Sequence, residues 1–289
     1  MKVAIIGGAG KMGQWFARFF LAEGIEVLLV DNRYSELQKT DEQLTGKLST
    51  NEEAIKGSDA VLVSVPLDSF EDAIQEASPY IYPGQVVVDI SSIKAKTVEI
   101  MHKYINTGLG LGVHPMFGPG AANISKKNFV LTPTTDEENE LAGRIEAYLI
   151  DKGAHVSLMT PAEHDEMMAI ILGLPSFIAM VSADTLLSLG KLQLTGNISG
   201  STYKLLLMLV ESVITEDAEL YANLQVALPH MSKIEDVFQN KVRTWRTLIE
   251  GGNKDKIHKK MHELEGEFKI INPSFSSAYE NMYKVLESL

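Results

Sequence analysis

The first thirteen residues, MKVAIIGGAGKMG (residues 1–13), join a short apolar run to closely spaced glycines. Val3–Ile6 predicts a buried strand, and Gln14–Phe20 predicts the helix that follows the glycines. The glycines that fit the pattern G-x-G-x-x-G are Gly8, Gly10 and Gly13. In this pattern the first glycine permits a tight turn, the second lets a pyrophosphate approach the backbone, and the third lets helix and strand pack closely. The stretch predicts a dinucleotide-binding unit, with an ordinary ligand-free turn as the alternative.

An acidic residue follows the second predicted strand. Val27–Val30 ends at Asp31, about twenty residues after the glycines, where a carboxylate hydrogen-bonds the ribose 2′-hydroxyl of a dinucleotide. A 2′-phosphate would meet this negative charge, so Asp31 favours NAD over NADP, while nearby Arg33 weakens the preference. The predicted cofactor-binding residues are Gly8, Gly10, Lys11, Met12, Gly13, Asp31, Ser64 and Pro66.

Composition and charge exclude several classes of function. The 289 residues carry a net charge of −12 and contain no cysteine. The negative charge argues against general binding to nucleic acid or membrane surfaces, and the lack of thiols excludes disulfides, thiolate metal sites and cysteine nucleophiles. The longest apolar stretches, Met167–Val181 and Leu205–Ile214, look too short or too interrupted to span a bilayer. Because a strand is predicted almost at Met1, no secretion signal is expected, and we expect a cytoplasmic protein.

Strand and helix patterns alternate through the first half of the chain. The further predicted strands are Ala60–Val65, Val86–Asp89, Leu109–Val113, Phe129–Thr132 and His155–Leu158. Strands separated by helices of this length run parallel with right-handed crossovers, so we expect a Rossmann-type, doubly wound, mostly parallel α/β sheet. The polar stretch Asn32–Asn51 shows little periodicity.

Strand patterns disappear after Thr160. The helices predicted there are Pro161–Gly190, Tyr203–Val213, Ala218–Glu250 and Asp255–Phe268. We therefore predict an NAD-binding domain over residues 1–159 and an all-α substrate and dimerisation domain over residues 160–289. Long apolar helices need more cover than a small domain supplies, which favours a homodimer.

Polar side chains follow several strands at the sheet edge where ligands bind in open α/β folds. Ser92 and Lys94 follow one strand, and His114, in the segment HPMFGPG, follows another. An imidazole with its ordinary pKa of about 6.5 could accept a proton from a substrate hydroxyl as hydride leaves the same carbon. The alternative for His114 is a structural histidine in a tight Pro/Gly turn.

The segment Asp89–Lys94 reads D-x-x-S-x-K. Ser92 could orient the imidazole or bond the reacting hydroxyl, and Lys94 could attract an anionic substrate or stand as a surface charge at the start of a helix. Ser91 or Ser92 could also cap that helix. Capping and substrate contact are compatible, because both use a hydroxyl at a helix start.

The remaining histidines give weaker patterns. The adjacent His164 and Asp165 could form a relay, but acids in a first helical turn favour a simple helix start. His258 and His262 are four residues apart in a lysine-rich stretch that is typical of a solvated helix face, so we predict no metal site.

Four motifs in order resemble the prephenate dehydrogenase family, which includes arogenate dehydrogenases and forms fused to chorismate mutase. They are GGAGKMG at residues 7–13, D-x-x-S-x-K at residues 89–94, HPMFGP at residues 114–119 and EHD…MA at residues 163–169. The resemblance implies NAD-dependent oxidative decarboxylation of prephenate to 4-hydroxyphenylpyruvate in tyrosine biosynthesis, with dimerisation through the helical domain. It also implies that His114 receives the hydroxyl proton, Ser92 bonds the hydroxyl or the imidazole, and Lys94 shapes the local field. The chain is expected to lack a mutase or regulatory domain.

Two positions depart from the family pattern. Ser176 stands where many members have a substrate-facing histidine, and Ser212 where the family commonly carries an arginine for the ring carboxylate. Serine cannot supply the two parallel, charged N–H donors of an arginine side chain. Losing one partner of a buried arginine–carboxylate pair costs about 2–5 kcal/mol of binding free energy. Lys204 is a possible substitute, as are Arg243 and Arg246, the last two as contributions from a partner subunit.

Three hypotheses follow. The first is a prephenate dehydrogenase with a rearranged carboxylate pocket. The second is a dehydrogenase of the same fold that acts on arogenate, 4-amino-4-deoxyprephenate or an unrelated small carboxylate. The third is a non-catalytic NAD-binding sensor dimer. His114 with Ser92 and Lys94 favours the first two, because a sensor needs none of these side chains.

Overall fold

The computed structural model describes residues 1–33 and 46–287, and it divides into two compact units, Met1–Met168 and Ala169–Leu289. This division falls after the helix Pro161–Met168, whereas the boundary at residues 159 and 160 stays a prediction. Residues 34–45 of the polar stretch Asn32–Asn51 lie outside the described residues.

The first unit is built on one eight-stranded sheet in the order β3-β2-β1-β4-β5-β6-β7-β8. Its strands are Lys2–Ile6 (β1), Glu26–Val30 (β2), Lys47–Leu48 (β3), Ala60–Val63 (β4), Val86–Asp89 (β5), Leu109–Pro115 (β6), Asn128–Thr132 (β7) and His155–Leu158 (β8). The pairs from β3 to β6 are parallel, β6 and β7 are antiparallel, and β7 and β8 are parallel. The predicted doubly wound, mostly parallel sheet is confirmed.

Helices cover both faces of this sheet. They are Lys11–Ala22 (α1), Asn51–Lys56 (α2), Phe70–Ala77 (α3), Ala95–Tyr104 (α4), Asp136–Asp151 (α5) and Pro161–Met168 (α6). Successive strand residues point to opposite faces, so Val3 and Ile5 join a core cluster that includes α1 and α5, while Ala4 and Ile6 join one that includes α2, α3 and α4. Burial on both faces explains why the strands read as continuous apolar runs.

The antiparallel strand β7 departs from the repeating pattern. No helix lies between β6 and β7, and residues 116–127 connect them without a helical crossover. A parallel pair requires such a crossover, so the chain reverses direction here. One antiparallel pair agrees with the predicted mostly parallel sheet, although the sequence pattern does not indicate which pair it is. The two-residue strand β3 was not predicted.

The second unit contains no strand among its described residues, which confirms the predicted all-α character. It begins with a π-helical segment, Ala169–Gly173. The helices that follow are Leu174–Ser188 (α7), Leu192–Asn197 (α8), Ser201–Ile214 (α9), Ala218–Ala227 (α10), Met231–Glu250 (α11), Lys254–Ile271 (α12) and Ala278–Glu287 (α13).

The helix predicted over Ala218–Glu250 is in fact two helices. Pro229 lacks an amide hydrogen and disfavours a helical conformation at the preceding residue, and Leu228 is accordingly extended. His230 then adopts a left-handed conformation, with φ of 62°, before α11 begins. The break therefore has a local cause that the hydrophobic pattern does not show.

The helical stretch Pro161–Ser188 is 28 residues long and, by length and composition alone, apolar enough to cross a membrane. The expectation that Met167–Val181 is too short to do so is wrong on length, because helix extends beyond it at both ends. Only 17% of the most apolar part is buried in a single copy of the chain, and many of its residues are half-buried. An exposed apolar helix of this kind also suits an interface with another protein surface.

Candidate active site

The glycine-rich turn joins β1 to α1, and its tightest point is Gly7. Gly7 has φ of 77°, and a Cβ atom there would lie 2.2 Å from the carbonyl oxygen of Ser64. A Cβ on Gly13 would lie 2.4 Å from the oxygen of Gly7, so this glycine lets the helix approach the turn. The sequence interpretation gave the tight turn to Gly8, but that residue instead packs its backbone against Leu29. The turn is therefore one residue earlier than the motif suggests.

The N-terminus of α1 suits an anion. Gly10 is the N-cap and provides no side-chain cap, and the first turn contains no acidic residue. Of the two predicted residues in that turn, Lys11 is exposed and Met12 packs against the core. Unbonded amide groups and the helix dipole at such an end favour a phosphate group.

Asp31 lies at the end of β2 beside this turn. Its Oδ2 accepts a hydrogen bond from the amide of Ala9 at 3.1 Å, and its Oδ1 accepts one from Nε of Arg33 at 3.0 Å. Burial acts to raise the pKa of Asp31, but these hydrogen bonds outweigh it and hold the pKa below its ordinary value. The carboxylate is therefore ionised and fixed next to the glycines. Turn, helix N-terminus and carboxylate together fit a dinucleotide.

Strand order reverses between β1 and β4, the place where open α/β sheets bind ligands. Ser64 and Pro66 follow β4 at this point, and the amide of Ser64 donates to the carbonyl of Ile6 in β1 at 2.8 Å. The structure thus brings Ser64 to the glycine turn. The predicted cofactor contact of Pro66, two residues further along, stays a prediction.

The ends of β4, β5 and β6 lie at one edge of the sheet. Val63 pairs with Asp89, and Asp89 pairs with Gly112, so the segments that follow are neighbours. Ser92 and His114 both lie at this edge, as the sequence predicts. Within the described residues, however, no hydrogen bond joins Ser92 to His114.

His114 is buried and bonded to a second histidine. Its Nδ1 lies 2.8 Å from Nε2 of His164, and Nδ1 of His164 lies 2.7 Å from Oδ1 of Asp165. Both imidazole rings are almost fully excluded from solvent. The relay interpretation of the His164–Asp165 pair is therefore the one that the geometry supports, and the preferred helix-start interpretation is wrong.

The N-termini of α6 and α4 are capped by groups that were not predicted from the sequence. At α6, Thr160 and Glu163 cap each other: the amide of Glu163 donates to Oγ1 of Thr160, and the amide of Thr160 donates to the Glu163 carboxylate. At α4, the amides of Lys94 and Ala95 donate to the two carboxylate oxygens of Asp165 at 2.7 and 2.9 Å.

The expected serine caps are therefore absent at α4. Oγ of Ser91 donates to the carbonyl of Ile93, within its own turn, and no cap is formed by Ser92 among the described residues. A carboxylate about seventy residues away in sequence takes their place, because it brings a full negative charge to the helix N-terminus.

Lys94 is fully buried and paired with Asp89, which is also fully buried. Oγ1 of Thr97 donates to the same carboxylate at 2.7 Å. The interpretation of Lys94 as a surface charge at a helix start is wrong, because the side chain is fully buried. Attraction of an anionic substrate by Lys94 stays a prediction. Its charge acts from within the protein, next to the histidines. Asp89 has no predicted role, although an acid that ends a buried strand is an available signal.

Burial most of all, and then the charge of Lys94, hold the pKa of His114 well below the ordinary value of 6.5. Burial also lowers the pKa of His164, against the opposing effect of Asp165. Both rings are therefore neutral near pH 7. A neutral imidazole with a free nitrogen can act as a base.

In the second unit, Ser176 is buried within its own helix region. Its Oγ donates to the carbonyl of Leu172 at 2.7 Å and accepts a hydrogen bond from Nε2 of Gln225 at 2.8 Å. The hydroxyl is thus engaged in packing the π-helical segment. Its predicted contact with substrate stays a prediction.

The other predicted substrate residues lie on exposed helix surfaces. Ser212 donates to the carbonyl of Leu209, one turn back in its own helix, and Lys204 is exposed on the same helix. Arg246 pairs with Glu250, and Arg243 contacts Asn240. The roles of these cations toward a substrate carboxylate stay predictions.

The described part of the chain contains no group of three or more histidine, cysteine or acidic side chains that could hold a metal ion. Nε2 of His258 lies 3.1 Å from Nε2 of His262, on an exposed helix face. His262 also contacts Glu265.

Two family models match the chain. Residues 16–158 match the nucleotide-binding domain of prephenate dehydrogenase, and residues 160–263 match the prephenate dehydrogenase dimerization domain. Together they cover most of the sequence.

Individual proteins give the same result. The chain is 27% identical over 272 residues to a probable arogenate/prephenate dehydrogenase of Methanocaldococcus jannaschii, covering 93% of this chain and 61% of that protein. It is 28% identical over 229 residues to the T-protein of Haemophilus influenzae, covering 77% of this chain and 55% of the relative. The chain thus spans only about three-fifths of the length of these curated relatives.

A solved structure shares the fold. The crystal structure of prephenate dehydrogenase from A. aeolicus, in complex with hydroxyphenyl propionate and NAD+, superposes with a TM-score of 0.75 at 20% identity. The match covers 94% of this chain and 98% of that one. From its two domain matches and its relatives, the chain belongs to the prephenate/arogenate dehydrogenase family.

Proposed function

We propose that this chain is an NAD-dependent oxidoreductase that converts prephenate to 4-hydroxyphenylpyruvate by oxidative decarboxylation, in tyrosine biosynthesis. The observation that carries the proposal is the buried, neutral His114, whose Nδ1 is bonded to His164 at the ligand-binding edge of a sheet with a dinucleotide turn. Family membership supports the same reaction.

The cofactor-binding residues follow from the first unit. The glycine turn and the N-terminus of α1 would hold the pyrophosphate, and the Asp31 carboxylate would accept hydrogen bonds from the ribose. An ionised Asp31 repels a 2′-phosphate, so NAD is the preferred cofactor. When bound, NAD supplies the acceptor for a hydride from the ring carbon that carries the hydroxyl.

His114 acts on the substrate hydroxyl. Its second ring nitrogen, Nε2, takes the hydroxyl proton as the carbon–hydrogen bond breaks, and Ser92 would bond the same oxygen. The ring carboxylate leaves as carbon dioxide, and its bonding electrons complete the aromatic ring. The buried ammonium of Lys94 disfavours premature protonation of His114, which keeps the base available.

A second candidate is a dehydrogenase of the same fold for another small carboxylate, such as arogenate or 4-amino-4-deoxyprephenate. It is favoured by Ser176 and Ser212, which stand where a histidine and an arginine were expected and which bond to nearby backbone carbonyls. In the prephenate case, Lys204 or an arginine of a partner subunit would supply the missing cation. A sensor without catalysis is less favoured, because it has no use for two buried histidines.

We also propose a homodimer, formed through the helical unit, in the cytoplasm. Ile198 and Val226 are 84% and 86% exposed in a single chain, and both lie in the region that matches the dimerization domain. Apolar side chains this exposed favour a partner surface.

The test is cofactor reduction, followed by the absorbance of NADH, with purified protein and either prephenate or arogenate. The variant His114→Asn should lower kcat by about 10²- to 10⁴-fold, because general base catalysis is lost. NAD binding, measured by calorimetry, should be unchanged. His155→Asn, at an exposed histidine of the same unit, is the matched control and should retain activity.

Two outcomes contradict the proposal. No reduction with either substrate, alongside clear NAD binding, would point to a different substrate. Equal loss of turnover and of NAD binding in His114→Asn would show that this histidine is structural.

A further inference from the structure

The buried chain of His114, His164 and Asp165 fixes where each proton lies. A carboxylate can only accept hydrogen bonds when ionised, and Asp165 already accepts two from the backbone of α4. The contact of 2.7 Å to Nδ1 of His164 therefore requires a proton on that nitrogen.

The next proton position follows from the first. Neutral His164 with a proton on Nδ1 has a lone pair on Nε2, so it accepts a hydrogen bond there. The contact of 2.8 Å to Nδ1 of His114 then requires a proton on the Nδ1 of His114. In a neutral ring this leaves Nε2 of His114 unprotonated.

We infer that His164 and Asp165 are positioning residues that select the tautomer of His114 in which Nε2 is the proton-accepting nitrogen. The inference rests on the proposed function, in which this nitrogen takes the proton of the substrate hydroxyl. In the other tautomer Nε2 carries a proton and cannot act as a base, however well the ring is placed.

A charged His164 is the main alternative. It would donate from both nitrogens and reverse the tautomer of His114. Burial and the nearby charge of Lys94 both oppose that extra charge. Lys94 and Asp89 face this region as an ion pair, and Asp165 is the carboxylate that contacts His164 directly.

Asp165 also holds the segment that carries Lys94. Through its two backbone contacts, the same carboxylate fixes the start of α4. The tautomer of the base and the position of the D-x-x-S-x-K segment therefore depend on one side chain.

The direct test is the protonation state of each ring nitrogen, read by nitrogen-15 NMR on histidine-labelled protein with NAD at neutral pH. We expect Nδ1 of His114 to be protonated and Nε2 to be free, with Nδ1 of His164 also protonated. A proton on Nε2 of His114 would overturn the inference. This measurement needs no substrate, so it stands even where turnover of prephenate and arogenate fails.

Variants test the effect on rate. Asp165→Asn can donate to Nδ1 of His164 and so favours the wrong tautomer; the corresponding change in a Ser–His–Asp triad lowers kcat about 10⁴-fold. We expect a loss of about 10³-fold or more in kcat, with KM changed little. Glu163→Gln is the matched control, since the hydrogen bonds of this carboxylate within the described part of the chain go to Thr160, and the variant should keep full activity.

A second pair of variants covers the case in which Asp165→Asn does not fold. His164→Gln retains a carbonyl oxygen that can accept the proton of Nδ1 of His114, whereas His164→Leu does not. The glutamine variant should be at least tenfold more active than the leucine variant at equal stability. Equal activity of the two variants would contradict a positioning role. If the wild-type protein itself turned over neither prephenate nor arogenate, that result would instead count against the proposed function.

Discussion

The two units depart from the usual distribution of polar and apolar side chains in opposite ways. The first unit buries ionisable side chains: Asp89, Lys94, His164 and Asp165 all lie inside it. The second unit exposes apolar groups, among which Ile198, Val226, Ile270 and Ile271 are each at least 78% exposed. Buried polar groups and exposed apolar patches are the informative exceptions in a folded protein.

These exceptions correspond to different tasks. Buried charge has a desolvation cost, and in the first unit it is offset by hydrogen bonds that place a base. Exposed apolar area has no such use in a single chain, and in the second unit it suits assembly. We therefore expect the first unit to hold the proposed proton-transfer groups within one chain, and the second unit to pair with a second copy of the chain.

The largest expected effect is the loss of stability when the buried ion pair of Lys94 and Asp89 is broken. Lys94→Met leaves the Asp89 carboxylate buried without its cation, which should lower the free energy of unfolding by about 3–5 kcal/mol in urea denaturation. Lys269→Met, at an exposed pair with Glu265 in the second unit, should leave that free energy unchanged within error. Similar losses in both variants would remove the contrast between the units.

The glycine turn gives the next effect. A methyl group at Gly13 would lie 2.4 Å from the oxygen of Gly7, so Gly13→Ala should cost about 1–3 kcal/mol and weaken NAD binding. Gly143→Ala, in open space within α5, should instead stabilise the protein by about 0.5–1 kcal/mol. Calorimetric NAD titration and thermal unfolding measure both. Normal NAD affinity in Gly13→Ala would mean that close packing of helix and turn is unnecessary for binding.

The third prediction concerns the strength of the proposed homodimer. The double variant I198D/V226D places two charges on the exposed apolar surface of the second unit and should raise the dimer dissociation constant at least about tenfold, about 1.4 kcal/mol. Ile150→Asp, at an exposed apolar residue of the first unit, should not change it. Sedimentation equilibrium distinguishes the two. An unchanged dimer in the double variant would place the interface elsewhere.

The smallest effect concerns pH. The pKa values of His114 and His164 are lowered in the native state, so the unfolded chain binds more protons than the native one below pH 6.5. Stability should be full above pH 6.5 and fall as acid is added, by about 1.4 kcal/mol per pH unit for each proton. His114→Asn should reduce this slope. The acid limb of kcat/KM should likewise lie below pH 6.5; a limb above it would contradict a buried neutral base.

Much of the first unit could be predicted, because its signals are local. An apolar run before glycines and the apolar strands that alternate with helices define the sheet without reference to distant residues. The reversal at β7 and the break at Pro229 were missed, since a connection without a helix and a single proline interrupt a pattern that otherwise continues.

The site was predicted only in part. His114 and Asp31 follow strands, so topology alone places them at the ligand edge. The contact of His114 with His164 joins residues fifty positions apart, and no short motif encodes it. Lys94 was misplaced for a similar reason, because the carboxylates that hold its side chain and backbone become apparent only when the chain is folded.

Asp165 has a consequence for how this protein can change during evolution. One carboxylate anchors both the start of α4 and the orientation of His164, so a substitution there affects folding and reactivity together. A substitution at this position cannot change the stability of the fold without also changing the reactivity of the site. A descendant that replaces the acid must also rebuild the start of α4, and we expect the two segments to vary jointly across related sequences.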